Sequence, residues 1–162
     1  MGARKPRLLL GVAMIAALAV VSGCSSGPAP RARRVLPPVP PLAKAVVRTA
    51  KTYLPEEEKD RQTPKDCSDF VRKVFLENGL DLPRTSKEIS LVGDRVKSSK
   101  DLRMGDLVFF SGEKISRIVG HVGIYVNNGV FIHLPSSGAV VMESLYSDYY
   151  RQRYLTARRV IP

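Results

Sequence analysis

His121-Val-Gly-Ile-Tyr-Val-Asn-Asn-Gly-Val-Phe-Ile-His133 is a stretch in which two strand-like segments surround a strong turn signal. Asn127-Asn128-Gly129 is the kind of sequence that connects antiparallel strands tightly, because its residues tolerate positive φ angles. The stretch therefore predicts a β-hairpin that carries both histidines of the chain, one at each end.

The length of the turn decides whether the two histidines meet. A three-residue loop with Gly129 in the left-handed conformation places Gly123 opposite His133. Side chains alternate between faces along a strand, so His121 and His133 then share one face as diagonal neighbours about 7–8 Å apart. A two-residue loop would put them on opposite faces, and the alternative is two unrelated histidines, one buried and one exposed. We expect the three-residue loop, with one imidazole hydrogen-bonded to the other.

A cysteine at a predicted helix start offers a nucleophile for these imidazoles. In Lys65-Asp66-Cys67-Ser68-Asp69-Phe70, Asp66 is the predicted N-cap and Asp69 completes a capping box. Free backbone N–H groups favour a Cys67 thiolate there, whereas the charge of Asp69 opposes it. A buried, inert cysteine is the alternative. Because a thiol nucleophile needs a base and the base needs an orienting partner, one thiol and two imidazoles together predict a cysteine nucleophile site.

The order of the predicted elements indicates an α+β fold, with N-terminal helices packed on an antiparallel sheet. Apolar residues recur at helical spacing in the first part of the domain and alternate in the second part. The predicted helices are 42–54, 66–78 and a short one that starts at Thr85 with a second capping box; the predicted strands are 106–110, 120–126, 130–134, 139–143 and 156–161.

The N-terminus has the pattern of an export signal. Three basic residues precede an apolar run, Leu8 to Val21, that is too short for a comfortable membrane span. Val21-Ser22-Gly23-Cys24 resembles a bacterial lipobox, which implies cleavage before Cys24 and a lipid on its sulfur; an ordinary secretory signal is the alternative. The predicted organisation is a signal peptide over 1–23, a lipidated Pro/Arg-rich tether over 24–41 and one domain over 42–162.

Charge and cysteine content fit an exported protein. The formal net charge is +11, of which three basic residues belong to the predicted signal. A basic surface suits an anionic polymer such as cell-wall glycopeptide, or anionic lipid headgroups, although it also serves plain solubility. No nucleic-acid partner is expected for an exported chain without a nucleic-acid-binding motif. If Cys24 is lipidated, Cys67 has no disulfide partner, and a free thiol in an oxidising compartment is kept where its reactivity is used.

Five sequence blocks, in order, resemble the NlpC/P60 family of papain-like cysteine peptidases from bacterial cell walls. The resemblance runs from about Leu42 to Ile161 and implies the papain-like NlpC/P60 fold for the domain over 42–162. The blocks are Asp66-Cys67-Ser68, Leu82-Pro83-Arg84-Thr85-Ser86, Gly105-Asp106-Leu107-Val108-Phe109-Phe110, His121-Val122-Gly123-Ile124-Tyr125 and Phe131-Ile132-His133.

The resemblance implies a role for each residue of the site. Cys67 would be the nucleophile, His121 the general base and acid, and His133 the residue that orients the His121 ring. Asp66 and Ser68 would help to hold the free amino end of the substrate peptide. The implied substrate is a peptidoglycan stem peptide, commonly cut between D-glutamate and a diamino acid, by acyl transfer that uses no metal and no cofactor.

Two features depart from the family's pattern. Asp69 stands where the family usually has Gly, and the upstream Tyr-x-Trp-Gly-Gly stretch, whose Tyr lines the cleft, is absent from a chain without Trp. Tyr53 matches the end of the first helix better than it matches that Tyr. These departures motivate two alternatives: a non-catalytic cell-wall-binding or scaffold lipoprotein on the same fold, and catalysis on a different amide or an acyl ester.

The expected function is a cysteine endopeptidase held at the membrane through a lipid on Cys24. The lipid would place the domain on the periplasmic face of the cell envelope. Ser25 after the lipidated cysteine favours the outer membrane in a bacterium with two membranes.

Overall fold

Helices precede most of the strands in the computed structural model, which describes residues 2, 37–55 and 63–162. The helices are α1 Pro41–Lys51, α2 Cys67–Leu76, α3 Ser86–Ile89 and α4 Asp148–Arg153, with a 3₁₀ turn at Ser99–Asp101. The strands are β1 Asp94–Arg95, β2 Leu107–Ser111, β3 Val119–Asn127, β4 Val130–His133, β5 Val141–Ser144 and β6 Tyr154–Arg159. They form an antiparallel sheet in the order β1-β6-β2-β3-β4-β5, which confirms the predicted α+β class.

The predicted signal peptide, Cys24 and most of the predicted tether lie outside the described residues, so their boundaries stay predictions. All helices and strands named above belong to one compact unit, Pro37–Pro162. No helix in the described ranges is long and apolar enough to cross a membrane.

Helices α1 and α2 cover one face of the sheet. α1 starts at Pro41, whose fixed φ suits a first helical turn, and it ends four residues before Pro55. Phe70 and Phe75 of α2 are fully buried, and burial of each side chain stabilises the fold by about 1.5–3 kcal/mol. The buried residues of both helices and of β2, β3 and β4 form a single core; those from the helices are Ala43, Val46, Val47, Ala50, Phe70, Val71, Val74 and Phe75.

A second apolar cluster lies on the other face of the sheet. Alternate residues of the strands, among them Val108, Phe110 and Phe131, pack there with Tyr150 of α4. The sequence prediction missed α4, the two-residue strand β1 and the 3₁₀ turn. The capping box at the start of α3, between Thr85 and Glu88, is confirmed.

The β3–β4 hairpin has a shorter turn than predicted. Asn127 pairs with Val130, so the loop has two residues, Asn128 and Gly129, with φ angles of 47° and 79°. The expectation of a three-residue loop was therefore wrong. One extra residue in β3, Val126, interrupts the pairing as a bulge and restores the register that the longer loop would have given.

Gly123 shows that the histidines keep their predicted positions. A Cβ atom on Gly123 would lie 3.1 Å from Cβ of His133 and 2.7 Å from a ring carbon of Phe131. Gly123 is thus opposite His133, and His121, two residues away, shares its face. The missing side chain leaves room for the Phe131 ring and for the Cβ atom of His133.

We expect Gly123→Ala to destabilise the domain, because the new methyl group meets packed ring and backbone atoms. Overpacking of this kind costs about 1–3 kcal/mol, which lowers the melting temperature by several degrees. Gly112→Ala is the matched control, since a Cβ there meets nothing closer than 3.8 Å. Thermal unfolding followed by circular dichroism compares the two variants, and equal melting temperatures would contradict this account of the hairpin.

Candidate active site

Cys67 is the first residue of α2 and is a free, partly buried cysteine. Asp66 is the N-cap, as predicted, and accepts backbone hydrogen bonds from Ser68 and Asp69 at 3.0 and 2.8 Å. Burial raises the pKa of the Cys67 thiol above 9.0 and the charge of Asp66 adds to the rise, although the backbone N–H groups of Val122, Ser68 and Cys67 act in the opposite direction. The sulfur is therefore a neutral thiol at pH 7 and needs a base to lose its proton.

The two histidines form a directly bonded pair. Nε2 of His121, on β3, lies 2.8 Å from Nδ1 of His133, on β4, and the two rings are almost perpendicular at 89°. Burial lowers the pKa of His121 to about 4. Burial and the charge of His121 lower the pKa of His133 to about 3. Both rings are neutral at pH 7, so one nitrogen of the pair donates and the other accepts.

A single cavity of about 400 Å³ is lined by Cys67 and His121. The backbone N–H of Val122, the residue after His121, is directed toward the Cys67 sulfur and acts to lower the pKa of the thiol. Because His133 occupies Nε2 of His121, Nδ1 of His121 is the nitrogen left to accept the thiol proton. The structure thus brings the predicted residues Cys67, His121 and His133 together in an arrangement suited to a nucleophile, its base and an orienting group.

Asp66 and Ser68, the predicted substrate-binding pair, are tied together by Arg84. The guanidinium of Arg84 pairs with the Asp66 carboxylate at 2.7 Å and donates to the Ser68 hydroxyl at 3.0 Å. The Ser68 hydroxyl donates in turn to Asp66 at 2.6 Å. The hydrogen bond from Arg84 holds the pKa of the Asp66 carboxyl well below its usual range. Arg84 belongs to the second of the five sequence blocks, but its contacts with Asp66 and Ser68 were not predicted. A single arginine in a sequence does not indicate which distant residue it pairs with.

Asp69 does not have the predicted position. Its carboxylate accepts the backbone N–H of Lys65 at 2.8 Å, whereas a capping box would use the N–H of Asp66. It also lies 3.6 Å from the ammonium of Lys73, one turn along α2. The Asp69 carboxylate is therefore bound by the Lys65 backbone and the Lys73 side chain. The carboxylate that raises the pKa of Cys67 is that of Asp66. Asp69 stabilises the helix start.

Two tyrosines differ in their relation to the site. Tyr53 is buried against Phe70 and donates its hydroxyl to Glu77, so it is a core residue, as its place at the end of the first helix suggested. Tyr150, on the unpredicted helix α4, lies with its hydroxyl 3.3 Å from Nε2 of His133. Ser147-Asp148 is a helix-start signal, and Arg151 and Arg153 are basic residues of the kind that end a helix, so the sequence does contain a signal for α4. No sequence signal indicates the contact with His133.

The remaining predicted site residue, Cys24, lies outside the described part of the chain. Among residues 37–55 and 63–162, no group of three or more His, Cys, Asp or Glu side chains is arranged to hold a metal ion.

Residues 57–159 match the sequence model of the NlpC/P60 family. The chain belongs to the NlpC/P60 family. The match contains Cys67, His121 and His133 and all six strands of the sheet. The resemblance stated from the sequence blocks is therefore confirmed at the level of the family.

Similar proteins come from several bacteria. The chain is 43% identical over 97 residues to the murein DD-endopeptidase MepS/murein LD-carboxypeptidase of Escherichia coli (strain K12), covering 59% of this chain and 50% of that protein. It is 38% identical over 98 residues to the peptidoglycan DL-endopeptidase CwlO of Bacillus licheniformis, covering 59% of this chain and 21% of that protein. The crystal structure of an NlpC/P60 family protein from Bacillus cereus ATCC 10987 superposes with a TM-score of 0.64 and 29% identity, covering 77% of this chain and 42% of that one. The chain therefore spans half or less of the length of each.

We expect the buried histidine pair to make the folded state less stable as the pH falls. The folded-state pKa values, about 4 and about 3, lie below the ordinary value of 6.5. Between pH 6.5 and about 3 the unfolded chain therefore binds more protons than the folded chain. The stability contributed by the neutral pair is complete above about pH 7 and is lost through that window.

Urea unfolding of two variants between pH 7.5 and pH 4 measures this effect. Cys67→Ser removes the titration of the thiol, and Cys67→Ser combined with His133→Asn also removes one imidazole but keeps a hydrogen-bonding side chain. The slope of the unfolding free energy against pH reports how many more protons the unfolded chain binds than the folded chain. That number should be smaller in the double variant by up to about one. Identical slopes would show that His133 does not titrate below its ordinary pKa.

Proposed function

We propose that this NlpC/P60 domain is a cysteine endopeptidase that hydrolyses peptidoglycan stem peptides. The observation that carries the proposal is the connected set of side chains: Cys67 and His121 line one cavity, and His121 is bonded to His133 at 2.8 Å. A protein that only binds the cell wall has no need of all three, which argues against a non-catalytic scaffold. The names of the two similar proteins, one a murein and one a peptidoglycan endopeptidase, support the substrate class.

The proposed reaction is acyl transfer in two stages. The Cys67 sulfur attacks the peptide carbonyl carbon while its proton passes to Nδ1 of His121. Backbone N–H groups, including that of Cys67, stabilise the oxyanion. His121 then gives the proton to the leaving amine as the C–N bond breaks, and a thioester forms on Cys67. Water, deprotonated by His121, hydrolyses the thioester and releases the new carboxylate and the free thiol.

The bonding of Asp66 supports cleavage within the wall network rather than at a free amino end. One oxygen of Asp66 accepts hydrogen bonds from the helix start and from the Ser68 hydroxyl, and the other pairs with Arg84. A carboxylate that already has these partners gains less from the ammonium group of a substrate. We infer that binding of a free amino end is not essential for cleavage, and the role of Asp66 and Ser68 in holding that end stays a prediction.

Purified stem peptides and cross-linked stems, analysed by mass spectrometry after incubation with the protein, test the function and the bond. New fragments that end in D-glutamate identify the proposed D-glutamyl–diamino acid cleavage, and separation of cross-linked stems identifies a DD-endopeptidase. Cys67→Ser and His121→Ala should abolish hydrolysis, and His133→Ala should leave a small fraction of it, because an orienting group contributes less than nucleophile or base. Hydrolysis by Cys67→Ser would refute the mechanism, and complete loss in His133→Ala would give that residue a larger role.

We propose further that a lipid on Cys24 holds the protein at the cell envelope. The support is the lipobox-like Val21-Ser22-Gly23-Cys24 and the proline-rich segment after it. If the 16 residues from Ser25 to Pro40, which precede α1, are extended at about 3.1 Å each, the domain reaches roughly 50 Å from the membrane.

Cys24→Ala should release the protein from the membrane fraction without changing its melting temperature, because the domain is predicted not to carry the anchor. Cys67→Ser is the matched cysteine control and should stay with the membranes. Density-gradient fractionation in a bacterium with two membranes locates the anchored form, which we expect in the outer membrane because Ser25 follows Cys24. A Cys24→Ala protein that remains in the membrane fraction would show that another element binds lipid.

A further inference from the structure

Tyr150 adds one more hydrogen-bonding group to the histidine pair. Its hydroxyl oxygen lies 3.3 Å from Nε2 of His133. The residue is only 7% exposed, and its ring packs against those of Phe110, Phe131 and His133 at centroid distances of 5.0, 4.8 and 5.4 Å. These contacts fix where the hydroxyl points, so its approach to His133 is built into the packing of α4 on the sheet.

Glu143 is the acidic residue whose charge acts on the Tyr150 hydroxyl. Glu143 lies on β5 opposite Phe131, so its side chain is on the face of the sheet that holds His133. Burial raises the pKa of Tyr150, and the charge of Glu143 and the hydrogen bond to it raise it further. Tyr149 and Arg153 are the other titratable groups that act on Tyr150. The tyrosine therefore stays protonated, and the Glu143 carboxylate lies on the same face of the sheet as the acceptor toward which it can donate.

The positions of the hydrogens on His121, His133 and Tyr150 can be assigned in order, starting from the Cys67 thiol. Nε2 of His121 is bonded to Nδ1 of His133, so the Cys67 proton must go to Nδ1 of His121. A neutral imidazole with a lone pair on Nδ1 carries its hydrogen on Nε2, and that N–H donates to His133. Nδ1 of His133 is then the acceptor, its hydrogen is on Nε2, and this second N–H donates to the oxygen of Tyr150.

The opposite assignment would disable the base. If Tyr150 donated to Nε2 of His133, then His133 would donate from Nδ1 to Nε2 of His121. The hydrogen of His121 would then be on Nδ1, so that this nitrogen could not accept the thiol proton. That assignment takes the Tyr150 proton away from the Glu143 carboxylate and loses a charge-assisted hydrogen bond.

We propose that Tyr150 and Glu143 are positioning residues that set the hydrogen-bond direction of the histidine pair and keep Nδ1 of His121 free to accept the thiol proton. The inference rests on the proposed peptidase function. One proton moves, from the Cys67 sulfur to Nδ1 of His121 as the C–S bond forms and then to the leaving amine as the C–N bond breaks. The hydrogen on Nε2 of His121 stays in place, and the negative charge of Glu143 at the far end favours the transient imidazolium.

Nuclear magnetic resonance reads the assignment without any assay of activity. The chain has two histidines, so a side-chain ¹H–¹⁵N spectrum of the full chain, made without a histidine tag, resolves both rings. At pH 7 both rings of the wild-type protein should carry hydrogen on Nε2. Tyr150→Phe removes only the hydroxyl and Glu143→Gln only the charge, and each should give a mixture of tautomers at His133. A hydrogen on Nδ1 of either wild-type ring, or an unchanged Tyr150→Phe spectrum, would overturn the proposal.

Tyr146→Phe is the matched control, because it makes the same change at an exposed tyrosine that is not among the groups that act on Tyr150. Its spectrum and its hydrolysis of stem peptides should match the wild type. Tyr150→Phe should lower kcat about tenfold and Glu143→Gln by less, with melting temperatures within a few degrees of the wild type. A changed spectrum with unchanged kcat would refute the positioning role. If the wild-type protein hydrolyses no stem peptide, the proposed function fails, and the spectra still decide the hydrogen assignment.

Discussion

The hydrogen bond between two neutral imidazoles, His121 and His133, is the interaction on which the rest of the site depends. It is possible because burial keeps both rings uncharged at neutral pH, so that one can donate and the other accept. It also decides which nitrogen of His121 remains for the thiol. The pairing of β3 with β4 brings both rings to one face of the sheet, and Gly123 leaves room for His133. Phe110 packs against His121 and Phe131 against His133, which fixes the orientation of the pair.

A second constraint joins the stability of α2 to the shape of the cleft. The Asp66 carboxylate caps the helix, binds the Ser68 hydroxyl and pairs with Arg84, and it lies directly before the nucleophile. Loss of an N-cap costs about 0.5–2 kcal/mol, but here it would also release the Ser68 hydroxyl and the Arg84 guanidinium, while Asp66 itself lines the cavity. The start of this helix is therefore a structural element and part of the cleft at the same time.

The sequence predicted the parts of the site that depend on local patterns. The Asp66 cap and the capping box at Thr85 follow from local capping chemistry. The shared face of His121 and His133 was predicted from a three-residue loop, and it holds because the bulge at Val126 supplies the residue that the shorter loop lacks. The turn length was predicted wrongly, because a bulge and a loop residue are interchangeable in sequence: both add one residue to the hairpin. The roles of Arg84, Tyr150 and Glu143 depend on contacts between distant segments, which no local pattern records.

The bulge at Val126 has a consequence for how this hairpin can change. Side chains alternate between the two faces of a sheet. A shift of the register by one residue therefore moves every side chain of the strand to the opposite face, and a shift by two residues returns it to its original face. The short turn and the bulge together keep the count at the value that puts both histidines on the same side. A longer loop is therefore compatible with the shared face of the histidines only when the bulge is lost at the same time. A single insertion or deletion without that compensation would put the two imidazoles on opposite faces of the sheet.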